Sequence, residues 1–134
     1  MSAEKWCAAN NKRLAQHLLY PRTKGFIASV QKLRNAPHVK AVYDLTLAYA
    51  KDGKVFQQPP KFWQSLLYPR LDRTFRTYVH VERHELAQLP DESDELAQWL
   101  EDRWVEKGER LERLRVRLSK NLPWEGDSTT QKLD

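Results

Sequence analysis

Val39-Lys40-Ala41-Val42-Tyr43-Asp44-Leu45-Thr46-Leu47-Ala48-Tyr49 alternates with a period of two. Val39, Ala41, Tyr43, Leu45, Leu47 and Tyr49 hold the odd positions, while Lys40, Asp44 and Thr46 are among the even ones. Successive side chains of an extended chain leave on opposite faces, so the pattern predicts a strand with one buried face. On this reading the odd residues form the core side, and Asp44 points outward beside Lys40 as a solvated carboxylate.

Upstream of that strand, Phe26, Ile27, Val30 and Leu33 recur at helical spacing and Ala36-Pro37 stops the run, which predicts a short helix packed on the sheet. Further back, residues 4–16 read as a helix with few apolar positions (Trp6, Cys7, Leu14) and an Asn10-Asn11 pair weakening its middle. Downstream, Lys51-Asp52-Gly53-Lys54 is a turn signal and Gln57-Gln58-Pro59-Pro60 a loop. A short helix at Lys61–Tyr68 follows, with Phe62, Trp63, Leu66 and Leu67 as a broad apolar face. Leu66-Leu67-Tyr68-Pro69-Arg70 repeats Leu18-Leu19-Tyr20-Pro21-Arg22 letter for letter, but nothing around the two strings agrees, so no structural repeat is read from it. Thr74–Glu82 alternates again, with Phe75, Thr77, Val79 and Val81 on one face and Arg76, Tyr78, His80 and Glu82 on the other. This is a second strand, able to lie beside the first.

Leu89-Pro90-Asp91-Glu92-Ser93 opens a long helix to about Leu118, with Asp91 or Ser93 as N-cap and acidic residues in the first turn, where the helix dipole favours them. Leu96, Trp99, Leu100, Trp104, Leu111, Leu114 and Leu118 form its apolar stripe. Glu106–Arg110 and Glu109–Arg113 have the i, i+4 spacing of surface ion pairs, and Gly108 reads as a weak point costing about 1 kcal/mol relative to Ala. Near the helix end Arg110, Arg113, Arg115, Arg117 and Lys120 surround the leucines. That composition fits either an anionic membrane surface, with the leucines turned down into it, or a solvated helix terminus. The fold class is therefore α/β, with at least two strands, flanking helices and a long C-terminal amphipathic helix.

The 134 residues amount to one domain or a piece of one; 40% are hydrophobic and 31% charged, which implies small elements with heavily solvated outer faces. A formal net charge of +5 and a pI near 9.4 point to an anionic partner without choosing among nucleic acid, acidic protein and phospholipid. Cys7 is the only cysteine, so an internal disulfide or a thiolate zinc cluster is excluded and a reducing, cytosol-facing environment is expected. No run approaches the ~18 apolar residues of a membrane span, and Met1-Ser2-Ala3-Glu4-Lys5 lacks the apolar core of a signal peptide. His80 and His84 are spaced as a helical metal pair would be, but four residues of strand span about 13 Å, too far for one tetrahedral ion. No metal is expected there.

Pro21-Arg22-Thr23-Lys24-Gly25-Phe26 carries the chemistry. It sets two cations, a hydroxyl and a glycine where an extended segment turns into a helix, and such junctions accept anions, phosphate above all. In an extended segment Arg22 and Lys24 leave the same face and converge; Thr23 supplies a hydroxyl, and Gly25 lets a ligand approach the backbone. The same residues are equally a Pro-led turn with solvated cations.

His17 to Phe26, followed by Val39 to Thr46, then Val79-His80-Val81-Glu82-Arg83 and Asp94 to Lys107, resembles the downstream half of the 1-acylglycerol-3-phosphate acyltransferases and the related lysocardiolipin acyltransferases. The likeness runs over most of residues 4–115, in the family's order. It implies the C-terminal portion of a glycerolphosphate-acyltransferase-type αβ domain: residues 1–89 as a partial αβ region with the phosphate site, 90–122 as the C-terminal helix and 123–134 as a disordered tail. It also implies acyl-CoA as co-substrate, a lysophospholipid acceptor, an anionic membrane surface, possible association with an intact acyltransferase, and the endoplasmic reticulum membrane. Arg22, Thr23, Lys24 and Gly25 would then bind the acceptor's phosphate. The family's His-x4-Asp pair is absent, because the residues five positions after His17, His38, His80 and His84 are Arg22, Tyr43, Glu85 and Leu89. Glu125-Gly126-Asp127 does not match the family's Glu-Gly-Thr-Arg motif either. No catalytic residue is expected in this chain, which then reads as a truncated or a degenerate relative. The alternative is a basic binding module without catalytic descent, for an anionic lipid surface, a partner acyltransferase or RNA. Nucleic acid is disfavoured because no RNP-like motif accompanies Arg76, Tyr78 and His80.

Overall fold

The computed structural model describes residues 3–9, 14–55, 61–67, 70–71 and 74–123. The elements are α1 (Ala3–Ala9), α2 (Thr23–Arg34), β1 (Ala41–Lys51), β2 (Lys54–Val55), α3 (Phe62–Leu67), β3 (Phe75–Glu85) and α4 (Ser93–Ser119), with a 3-10 turn at Leu86–Gln88. The expected loop at Gln57–Pro60 and the expected tail from Glu125 lie outside the described residues. Helix α1 is shorter than the 4–16 expectation: residues 14–20 are not helical, and His17 adopts φ 64°.

The sheet is three-stranded and ordered β2-β1-β3. Asp52 and Gly53, with φ of 50° and 75°, make the tight turn from β1 into β2, and two consecutive positive φ values are what an Asp-Gly hairpin provides. Antiparallel pairing of β1 and β2 sets Ala50 opposite Val55 and Lys51 opposite Lys54. Two backbone bonds flank β1 and β3: Leu86 N–H donates to Lys40 C=O at 2.9 Å, and Asp52 N–H donates to Thr74 C=O at 2.9 Å. Both obey one antiparallel register, which sets Asp44 across from Glu82.

The residues form two compact units, Met1–Leu45 with Val81–Arg110 and Thr46–His80 with Leu111–Asp134. In the first, Val30, Leu86, Leu89 and Leu96 are the buried core, with Phe26, Ile27, Val39, Val42 and Trp99 packed against them. Trp99 stacks on Phe26 (centroids 5.6 Å apart, planes at 8°) and meets the edge of His84 at 5.1 Å. Arg34 ties the end of α2 to the start of α4. Its guanidinium donates to Leu89 C=O at 2.7 Å and Pro90 C=O at 2.5 Å and pairs with the Asp91 carboxylate. Asp91 pairs with Arg34, and Ser93 Oγ accepts from Gln31 Nε2 at 3.0 Å; α4 begins at Ser93 with Leu96 N–H donating to Glu92 C=O at 2.9 Å, so Glu92 rather than Asp91 or Ser93 holds the N-cap position. In the second unit Ala48, Ala50, Tyr78, Leu111 and Leu114 are buried.

The strand faces are reversed from the sequence reading. Tyr43, Leu45 and Leu47 are 50–59% exposed, while Asp44 is half-buried and Thr46, Ala48 and Ala50 are buried. On β3, Val79 and Val81 are likewise exposed and Tyr78 is buried. In the first unit the reason is ionic: α4 brings Lys107 onto Asp44 and Arg110 onto Glu82, so the face carrying the carboxylates is the covered one. Burial of Tyr78 also removes the aromatic platform that the RNA reading needs. Leu111 and Leu114 are core residues, 4% and 0% exposed, so they are not available to point into a membrane.

Candidate anion site

Helix α2 starts at Thr23, one residue earlier than a Lys24 in extended chain would allow. Arg22 is the N-cap, with φ −84° and ψ 79° and no side-chain capping bond. Thr23 N–H donates to Pro21 C=O at 3.1 Å and Phe26 N–H to Arg22 C=O at 3.4 Å. Lys24 is therefore a first-turn residue, and the expected same-face convergence with Arg22 in extended chain does not occur. Both cations instead flank the positive end of a helix dipole. No acidic residue lies in the first turn.

Arg22, Lys24 and Gly25 are exposed and Thr23 is half-buried. Among the described residues, neither Arg22 nor Lys24 has an ion-pair partner. A Cβ on Gly25 would meet nothing within 4 Å, so the space beside that backbone is open.

The junction is held from behind by one face of α4, which the sequence did not foretell. Tyr20 Oη donates to the Glu101 carboxylate, and Trp104 Nε1 donates to Leu19 C=O at 2.9 Å. At Gly108 an added Cβ would lie 2.9 Å from both Gln16 N and Gln16 O, and 3.3 Å from Ala15 Cβ. Positions 101, 104 and 108 share one helix face, and residues 15–20 run along it. Gly108 is thus a contact position rather than a weak point. Burial first, and then the hydrogen bond to Glu101, push the Tyr20 phenol above its ordinary range, which keeps it a donor. The one signal in the sequence was a glycine deep inside an otherwise strong helical pattern.

A second polar cluster lies under the sheet of the first unit. Lys107, 6% exposed, pairs with Asp44, donates to Leu45 C=O at 3.1 Å and sits 4.4 Å from the Trp104 ring centroid. Arg110 bonds Glu82 at 3.2 Å, and Arg103 pairs with Glu106. The expected Glu106–Arg110 surface pair is therefore replaced: Arg110 turns to the strand. Asp44, Glu82 and His84 offer donor atoms within 4.8 Å of one another. A cation among them would face Lys107 and Arg110, which already neutralise both carboxylates. The cluster is an ionic clamp between strand and helix.

Residues 71–116 match the family model described as acyltransferase C-terminus. The chain is 32% identical over 117 residues to 1-acyl-sn-glycerol-3-phosphate acyltransferase 2 of Brassica napus, a match covering 84% of this chain and 26% of the relative. It is 34% identical over 104 residues to lysocardiolipin acyltransferase 1 of Gallus gallus, covering 78% and 25%. With lysophosphatidylinositol acyltransferase 10 of Caenorhabditis elegans it shares 27% over 111 residues, covering 83% and 27%. The chain spans about a quarter of the length of these relatives. No solved structure matches it.

Proposed function

We propose that this chain, similar to the C-terminal region of acyltransferases that act on lysophospholipids, forms the acceptor-phosphate end of such an enzyme and carries none of its catalytic groups. The observation that carries the reading is the N-terminus of α2, with no carboxylate in its first turn, two exposed cations beside it and open space at Gly25. Free N–H groups and the dipole favour a phosphate there, and Arg22 and Lys24 add charge-assisted donors. The names of the relatives support phosphate rather than head group as the recognised part. They name 1-acyl-glycerol-3-phosphate, lysocardiolipin and lysophosphatidylinositol, which have a phosphate on glycerol in common.

In this reading the acyl group comes from acyl-CoA, and the base that activates the acceptor hydroxyl lies outside these residues. The working enzyme would sit at the endoplasmic reticulum membrane. No described helix is long and apolar enough to cross a bilayer. Exposed Tyr43, Leu45 and Val81 in the first unit favour an accompanying protein surface, such as the catalytic part of an acyltransferase.

Titration calorimetry with a short-chain lysophosphatidate below its micelle concentration tests the proposal. Saturable binding is expected, weakened about tenfold by Arg22→Ala and similarly by Lys24→Ala. Affinity unchanged from the parent in both variants overturns the site, and acyl transfer from acyl-CoA by the chain alone overturns the division of labour.

A further inference from the structure

An apolar helix face of the second unit is turned outward. Helix α3 is six residues long, and Phe62, Trp63, Leu66 and Leu67 are 71%, 69%, 62% and 74% exposed. At 100° per residue these four positions fall within an arc of about 140°, so they form one face. The Phe62 and Trp63 rings pack edge to face on each other at 5.7 Å. The face is a short convex ridge.

The stretch of sequence between Asp52 and Asp72, which contains the ridge, is basic. From Gly53 to Leu71 there is no Asp or Glu, whereas Lys54, Lys61 and Arg70 lie within it, and the chain as a whole has 18 acidic residues. All three cations are exposed. Lys61 directly precedes α3 and Arg70 follows it by three residues.

We propose that α3 is a membrane-inserting wedge that seats the chain on an anionic phospholipid bilayer, with Phe62, Trp63, Leu66 and Leu67 among the upper acyl carbons and Lys61 and Arg70 on lipid phosphates. A Trp–Phe pair belongs at the boundary between head groups and acyl chains, and flanking long cations keep their charge in the head-group layer while their stems lie along the apolar surface. Size separates a bilayer from a protein partner. A helix about 9 Å long supplies far less than the roughly 800 Å² per partner of a stable protein interface. A bilayer, in contrast, receives a small convex ridge without a matching pocket. The anionic lipid follows from the absence of carboxylates. The wedge does not depend on the phosphate site, which belongs to the other unit.

Co-sedimentation of the full chain tests this, with phosphatidylcholine vesicles with and without about 30 mol% phosphatidylglycerol and no lysophospholipid present. The expected result is binding to the anionic vesicles that falls about tenfold or more in the double variant Phe62→Ser, Trp63→Ser. Because both side chains are exposed, the circular dichroism and thermal unfolding of that variant should match the parent. Lys61→Glu with Arg70→Glu should weaken binding to anionic vesicles only. Undiminished binding of the double variant overturns the wedge, as does an absence of parent binding. Loss in Arg22→Ala alone moves the lipid contact to the α2 junction and also overturns it. Concentration-dependent self-association that disappears in the double variant makes a second copy the occupant and overturns the bilayer.

Discussion

Gly108 shows how a single residue type is misread when only its local cost is counted. In an isolated helix Ala would stabilise that position by about 1 kcal/mol. Here a Cβ would press against Gln16 backbone atoms, which cannot swing aside as a side chain could. Gly108→Ala is therefore expected to destabilise the chain by about 1–3 kcal/mol, the range for overpacking, and denaturant unfolding will show the sign. A gain in stability would mean that residues 15–16 yield. Asp44 was misread for a related reason. Its sequence neighbours include Lys40, but its ionic partner is Lys107, distant in the chain and brought close only by the fold.

Among the elements, the positions of the strands, of the Asp-Gly turn and of the long helix were legible because period, turn chemistry and capping composition act locally. The buried face of β1 was not. Its large side chains, Tyr43, Leu45 and Leu47, are on the exposed side, and the covered side is built from Val42, Asp44, Thr46, Ala48 and Ala50. Hydrophobicity alone assigns those faces the other way. What reverses them in the first unit is a pair of ionic contacts from α4, and their weight can be measured. Removing one partner of a buried pair strands the other charge, so Lys107→Met alone should cost about 3 kcal/mol or more. Lys107→Met combined with Asp44→Asn should recover much of that loss, and a double-mutant cycle by chemical unfolding gives the coupling. Strictly additive losses would show that Asp44 and Lys107 stabilise the fold independently.

For the molecule as a whole, the family resemblance was legible because ordered blocks of sequence carried it, and the residues proposed to bind an anion stood out as a composition. Their arrangement was not, since whether Lys24 is extended or helical depends on where α2 begins. The contacts with α4 also give the whole chain an alkaline limit. The Tyr20 phenol is raised in the folded state above its ordinary value near 10, so its contribution is fully present below that pH. It is lost as pH rises beyond, because the unfolded chain then releases a proton that the folded one retains. Tyr20→Phe should lower stability at neutral pH and flatten its decline above about pH 10, read by unfolding at a series of pH values. Parallel profiles for parent and variant would remove Tyr20 from the account.

The lane on α4 also matters as inheritance. Glu101 and Trp104 grip residues 81 and 85 positions earlier in the chain, so the junction before α2 is written twice, once around Pro21–Gly25 and once in the helix behind it. Neither copy can drift alone. A bulkier residue at 108 demands a different path for residues 15 and 16, and a shifted path re-aims Arg22. Descendants of this chain that alter one copy and keep the site would carry a matching change in the other.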